Sequence, residues 1–299
     1  MGVRSFHDEQ ARNKRDSLLL LIVVGVVLFA LILSISYLWD PASVYIMVPL
    51  AALITAGYTW GNYMFGDRII LSYMKARPAE GPQFTYLHNT VEGLAIAAGI
   101  PKPKVYVVPS EELNAFATGR DPEHASIAVT TGLLRRLDRL ELEGVVAHEI
   151  SHIANRDVQF MTLVAVLVGL AGILSNWILR SYWWGGSRRD RDERGNLGLI
   201  LVVVGMVLAV VAPLVTRLVQ MAVSRRREFL ADAYAAELTR YPDGLADALE
   251  KMAALNRGNM KVSETVSHLF ISDPNRSPLD ALFSTHPPIE ERIKRLREM

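Results

Sequence analysis

His148-Glu149-Ile150-Ser151-His152 lies near the middle of a 299-residue chain, and its reading decides how the rest is organised. Two histidines four residues apart fall on one face of a helix, so both imidazoles can bind the same cation. Glu149 is the next residue round the turn. It can reach water at that cation without ligating it, which is the place of a general base. Val145, Val146, Ala147, Ile150 and Ile153 make the helix a buried one. Two histidines on a solvated face would not suit that setting, because buried imidazoles need partners. The spacing therefore predicts a zinc site, with one Zn2+ per chain.

The chain contains no cysteine. Disulfides, thiolate ligands, a cysteine nucleophile and iron–sulfur clusters are excluded, and a metal must be held by His, Asp or Glu. Catalytic zinc usually has three protein ligands and one open position. Glu228, within Ser224-Arg225-Arg226-Arg227-Glu228-Phe229-Leu230-Ala231-Asp232, is the candidate third ligand. Glu228 and Asp232 share a helical face, so Glu228 can bind the metal while Asp232 orients a ligand histidine through its ring N–H. Spacing alone leaves a second reading open, a solvated Glu228 paired with its neighbouring arginines.

Composition places this site in a chain of mixed character. Hydrophobic residues make up 51% and charged residues 21%, and mean hydropathy is +0.20. These values lie between those of a soluble domain and a bundle of membrane helices. A net charge of +1 gives no support to nucleic-acid binding. Four uncharged runs carry the apolar excess: Ser17 to Trp39, Val44 to Phe65, Val158 to Leu179 and Leu197 to Thr216. Each is long enough to span a bilayer, for which about 20 residues suffice. The first is too long for the apolar core of a secretory signal, and it reads as a retained anchor.

The expected architecture is an integral membrane α-helical part of four apolar helices plus an α+β, zincin-like domain with a small antiparallel sheet. Residues 1–16 form a tail and 17–65 a transmembrane hairpin. Residues 67–157 and 217–299 supply the two parts of the water-facing domain. Between them, 158–216 form an apolar hairpin, transmembrane or re-entrant, with an Arg-rich loop at 180–196. Within the domain, Tyr86 to Ala98 reads as a helix, and Lys104 to Val108, Leu113 to Thr118 and Ser126 to Thr130 as strands. A helix begins within Gly132 to Leu140. Another runs from about Glu141 into the third apolar run.

Either form of the 158–216 hairpin returns the chain to its starting side, so Glu228 can meet His148 there. Arg4, Arg12, Lys14 and Arg15 precede the first run, and its following loop has no basic residue. That bias predicts a cytoplasmic N-terminus. Arg180, Arg188, Arg189, Arg191 and Arg194 in the second outer loop oppose it and keep the re-entrant alternative open. The spans contain no ionisable residue, which argues against a transporter or channel.

Together these residues resemble the HtpX-type membrane zinc metalloproteases, relatives of the CAAX prenyl proteases. The resemblance rests on the N-terminal hairpin, Asn114-Ala115-Phe116-Ala117-Thr118-Gly119, the His148 motif with Asn155-Arg156-Asp157, and the inserted apolar pair. It continues through Arg227 to Asp232, Ser284-Thr285-His286-Pro287-Pro288 and Glu291-Arg292-Ile293. It implies His148, His152 and Glu228 as ligands, Glu149 as base and Asp232 behind a ligand. It also implies a plasma-membrane protein with a cytoplasmic active site. Its implied role is to cleave misfolded or damaged membrane proteins in quality control and stress response. The expected partners are protein substrates and the lipid bilayer.

Four spans are fewer than the CAAX enzymes have, which weakens a prenyl-protein reading. A non-catalytic scaffold or chaperone with a structural metal is the other alternative, and it would have no use for Glu149. Further roles are expected. Asn114, Ala115, Phe116, Ala117 and Thr118 form an edge strand able to bind substrate by main-chain hydrogen bonds. His286, held by two following prolines, is an oxyanion donor or a resting-state metal ligand. Arg292 is an oxyanion or network residue. Asp157 reads either as a brace for the zinc helix or as a membrane-surface charge.

Overall fold

The computed structural model describes residues 6–39, 42, 44–166, 225–258, 260, 262, 264–272 and 287–299. Most of the two apolar runs within 158–216, the loop at 180–196 and His286 lie outside the described residues. The element order is α1 (Phe6–Trp39), α2 (Val44–Tyr73), β1 (Arg77–Pro78), α3 (Thr85–Ala97), β2 (Lys104–Val108), β3 (Ala115–Gly119), β4 (Ala125–Thr130), α4 (Thr131–Arg136) and α5 (Arg139–Ala154). After these come α6 (Arg225–Thr239), α7 (Pro242–Leu255), α8 (Glu264–Ser267) and α9 (Ile289–Arg297). Residues 157–166 are also helical.

The four strands form one sheet in the order β1-β2-β4-β3. β3 and β4 are antiparallel, but β2 and β4 are parallel, with Val105 opposite Ile127 and Val107 opposite Val129. The expected antiparallel sheet is thus corrected to a mixed one. The chain leaves β2 and crosses the sheet before laying down β3 at the far edge. The hairpin return then fills the middle position with β4, in the direction of β2.

The sheet is buried on both faces, which is why β4 reads as six buried residues rather than an alternating pattern. Ile127 and Val129 join a core with Leu87, Val145, Ile150 and Leu249, drawn from α3, α5 and α7. Ala128 and Phe116 point the other way, into a second core with Ile70 of α2 and Phe160 and Leu163 of the 157–166 segment. The sheet is a middle layer between the helices that carry the site and the N-terminal helix pair.

Helix α5 starts at a capping box. The Asp138 carboxylate accepts from Glu141 N–H at 3.0 Å, and Glu141 accepts from Asp138 N–H at 2.8 Å. Its contact with α7 depends on two glycines. A Cβ at Gly144 would stand 2.6 Å from Leu245 N, and one at Gly244 would stand 2.6 Å from Leu140 O. The helices touch backbone to backbone, and α5 is held rigidly where it carries its histidines.

The helix from Glu141 does not run unbroken into the third apolar run. It ends at Asn155, and Arg156 adopts a left-handed conformation with φ 60°. A non-glycine residue there costs about 1–2 kcal/mol. The turn re-aims the chain before helix resumes at 157.

Among the described residues, no helix is long and apolar enough to cross a membrane. Helix α2 mixes Thr55, Tyr58, Thr59 and Asn62 into its apolar run. Both helices nevertheless turn large apolar side chains outward, among them Leu18, Ile22 and Val26 on α1 and Ile46, Leu53 and Trp60 on α2.

Candidate metal centre

Burial makes the motif on α5 chemically tense. His148, Glu149 and His152 are all nearly sealed from solvent, as are Glu228 and Asp232 on α6. Ionisable groups at such depth must be paired or share a cation. The ligand atoms of His148, His152 and Glu228 lie within 4.8 Å of one another. His148 Nε2 is 3.2 Å from His152 Nε2. Glu228 places Oε2 3.7 Å from His148 Nε2 and Oε1 3.6 Å from His152 Nε2. Three donors thus converge from two packed helices.

Each imidazole is aimed by a carboxylate on its other nitrogen. His148 Nδ1 is 2.9 Å from Asp232 Oδ1, and His152 Nδ1 is 3.0 Å from Asp157 Oδ2. These bonds place the proton on Nδ1 and leave both Nε2 lone pairs facing the shared point. Two imidazoles and a carboxylate so arranged suit a divalent metal of the zinc type.

Arg292 supports the first pair. Its Nε and Nη2 donate to the two Asp232 oxygens at 2.9 and 2.7 Å, and Nη1 donates to Ile271 O at 2.8 Å. Its place is behind His148, within the carboxylate network. The second pair is the one the sequence reading left undecided. Asp157 reaches back to His152 because the chain turns at Arg156, and a left-handed arginine carries no sequence signal.

The environments shift the protonation equilibria in opposite directions. Burial, helped by the Arg292 charge, pulls His148 down to about 4 despite its bond to Asp232. Burial also opposes the charged form of His152. There the Asp157 hydrogen bond and the charges of Glu228, Asp157 and Glu149 prevail and lift it to about 9. Metal ligation requires neutral imidazoles, so cation uptake releases a proton here. Asp232 is penalised by burial as well, but Arg292 and His148 hold its carboxyl below the ordinary range.

Burial pushes Glu149 up to about 7. Its carboxylate accepts from the backbone N–H of Ala117 in β3. Among the described residues its Oε2 has no hydrogen-bond partner. A carboxyl group poised near neutrality beside a metal cluster suits proton transfer in both directions.

Strand β3 brings the sheet edge to this carboxyl group. Thr130 N–H donates to Asn114 O, and the register then turns the backbone groups of Ala115, Ala117 and Gly119 away from β4. Ala115 O is taken by Ile271 N–H at 3.1 Å, and Phe116 bridges Phe270. Gly119 N–H donates to Thr162 Oγ1 at 3.2 Å. The strand is therefore partly covered, and Asn114 itself is tied to Ser272 O at 2.7 Å.

An α+β domain with paired histidines on one helix, a carboxylate from the next within reach of both and a buried carboxyl group against a sheet edge fits the class of metal-dependent peptidases. Residues 82–299 match Peptidase family M48, and the chain belongs to that family. Over 300 residues it is 46% identical to the Protease HtpX homolog of Caldanaerobacter subterraneus subsp. tengcongensis, covering 100% of this chain and 99% of that protein. The Protease HtpX homolog of Thermoanaerobacter pseudethanolicus is 45% identical with the same coverage. That of Dictyoglomus thermophilum is 44% identical over 99% of this chain and 95% of its own length. Among solved structures, the crystal structure of S. mikatae Ste24p aligns with a TM-score of 0.49 and 23% identity, covering 97% of this chain and 66% of that one.

Proposed function

We propose that this chain is a membrane-held zinc endopeptidase acting on misfolded or damaged membrane proteins at the cytoplasmic face of the plasma membrane. The observation that carries the reading is the position of Glu149. It is buried beside His148, His152 and Glu228, near-neutral in affinity for a proton, and bonded to the sheet edge at Ala117. A purely structural metal site has no need of such a group.

His148, His152 and Glu228 would hold the zinc. When bound, zinc supplies Lewis-acid polarisation of the scissile carbonyl and acidifies water. Glu149 takes the proton of the attacking water and returns it to the leaving amine nitrogen. Asp232 and Asp157 keep the two imidazoles oriented while this happens. The substrate main chain adds to the outer edge of β3 at the Ala117 carbonyl, between the Ala115 carbonyl that Ile271 occupies and the Gly119 N–H that Thr162 occupies. Main-chain pairing suits unfolded segments of many sequences. His286 serves as an oxyanion donor in this scheme.

The membrane part of the reading is supported by the many large apolar side chains that α1 and α2 turn outward, of a kind that marks membrane or protein contact. The uncharged run from Ser17 to Trp39 supports it further. The four apolar runs would anchor the domain so that its site faces the cytoplasm.

The test is Glu149→Gln in the purified full-length protein with an unfolded protein as substrate. Loss of a general base lowers cleavage by about 10²–10⁴-fold. The zinc content, measured by metal analysis, stays that of the parent. Cleavage at the parent's rate would defeat the mechanism.

A further inference from the structure

Asn13 stands out in α1. It is 1% exposed, although it lies in a charged segment before the first apolar run. A buried amide needs partners for two N–H groups and a carbonyl, and Asn13 finds them all. Its Nδ2 donates to Asp157 Oδ1 at 2.6 Å and to Asn155 O at 3.0 Å. Its Oδ1 accepts from Arg227 Nη2 at 3.2 Å. The opposite amide orientation would set an oxygen against a carboxylate and a carbonyl, so the network allows one orientation only.

The partners of Asn13 belong to the metal centre. Asp157 Oδ1 takes Asn13 and, at 3.1 Å, Arg227 Nε. With Oδ1 engaged from two sides, the carboxylate plane is set and Oδ2 is left to face His152 Nδ1 at 3.0 Å. The bond to Asn155 O also clamps the end of α5, where the chain turns back to bring Asp157 into reach. We infer that Asn13 is a positioning residue for the metal centre, acting on His152 through Asp157, so that the N-terminal helix is part of the site. This rests on the metal reading above.

The chemistry separates this role from packing. Outer partners of metal-bound histidines set ring orientation and ligand basicity. Asn13 therefore affects how tightly the metal is held, beyond how stably α1 packs. Ser17 is the internal comparison. It is equally buried in α1 and donates to Asn13 O at 2.8 Å, but this bond is to the backbone within the helix.

The experiment uses the full-length protein in detergent, with zinc affinity from chelator competition and the visible absorption of the Co2+-loaded form. Asn13→Ala is expected to weaken zinc binding by about tenfold and to shift the Co2+ bands. Asn13→Asp, which sets a like charge against Asp157, weakens it further. Ser17→Ala leaves both readouts at parent values. Arg227→Lys, which loses the fork between Asn13 and Asp157, gives a smaller loss of the same sign and decides the matter should the Asn13 variants fail to fold. Parent-like zinc affinity and spectrum in the Asn13 variants, or in Arg227→Lys if those do not fold, would overturn the inference. A parent that binds no zinc would defeat the metal reading itself, and the inference with it.

Discussion

His148 and His152 stand one helical turn apart and present the same nitrogen to the same point, but their supports come from opposite ends of the chain. Asp232 of α6 orients His148 and is held by Arg292 of the last helix. Asp157 orients His152 and is held by Asn13 of the first helix and Arg227 at the start of α6. The first support is a bidentate ion pair sealed in the core, with side chains 1% and 3% exposed. The second is an amide and an arginine whose side chain is 12% exposed, beside a turn. Burial disfavours the charged form of both imidazoles; it prevails at His148, but at His152 the Asp157 hydrogen bond and the surrounding carboxylate charges together outweigh it, so one is pulled down and the other lifted. A symmetric motif thus sits in an asymmetric field.

The strongest challenge to this contrast is Asp232→Asn. It leaves the Arg292 guanidinium buried, with Glu228 at 3.7 Å as a carboxylate contact among the described residues. Breaking such a buried pair costs about 3–5 kcal/mol, to be read by chemical denaturation. Zinc affinity should fall toward the upper end of a roughly 10–100-fold range. Asp157→Asn should sit nearer the lower end of that range in chelator competition. Its stability loss should be smaller, because Arg227 can turn to water. Equal losses from the two variants would erase the distinction between a sealed and a partly open support.

Gly144→Ala sharpens the comparison from outside it. The added methyl would strike the α7 backbone at Leu245. Overpacking of this kind costs about 1–3 kcal/mol. The folded fraction should bind zinc like the parent, since neither carboxylate partner is touched. A selective change in zinc affinity would mean that α7 packing tunes the metal directly.

The legible part of this molecule was the local part. Helical periodicity placed His148, Glu149 and His152 on one helix, and the lack of cysteine directed attention to Glu228 and Asp232. The strands at Lys104 to Val108 and Ser126 to Thr130 were readable from their β-branched runs. The direction of β2 relative to β4 was not, because parallel and antiparallel pairing use the same residues. The helix break at Arg156 was hidden as well, since arginine ordinarily continues a helix.

The sequence by itself determined that His148 and His152 can share a metal and that Glu149 stands where it can move a proton, because those properties follow from residue type and from spacing within a few turns, whereas spacing left Glu228 between a ligand and a solvated partner of its arginines. The tertiary structure brought Glu228 to the two histidines and decided how each imidazole is aimed. Asn13 and Asp157 are 144 residues apart, and Arg292 and Asp232 are 60 apart. No local pattern links such pairs. They meet because burying α1, α5, α6 and α9 together leaves each buried charge to find its partner among the polar groups that packing brings within reach.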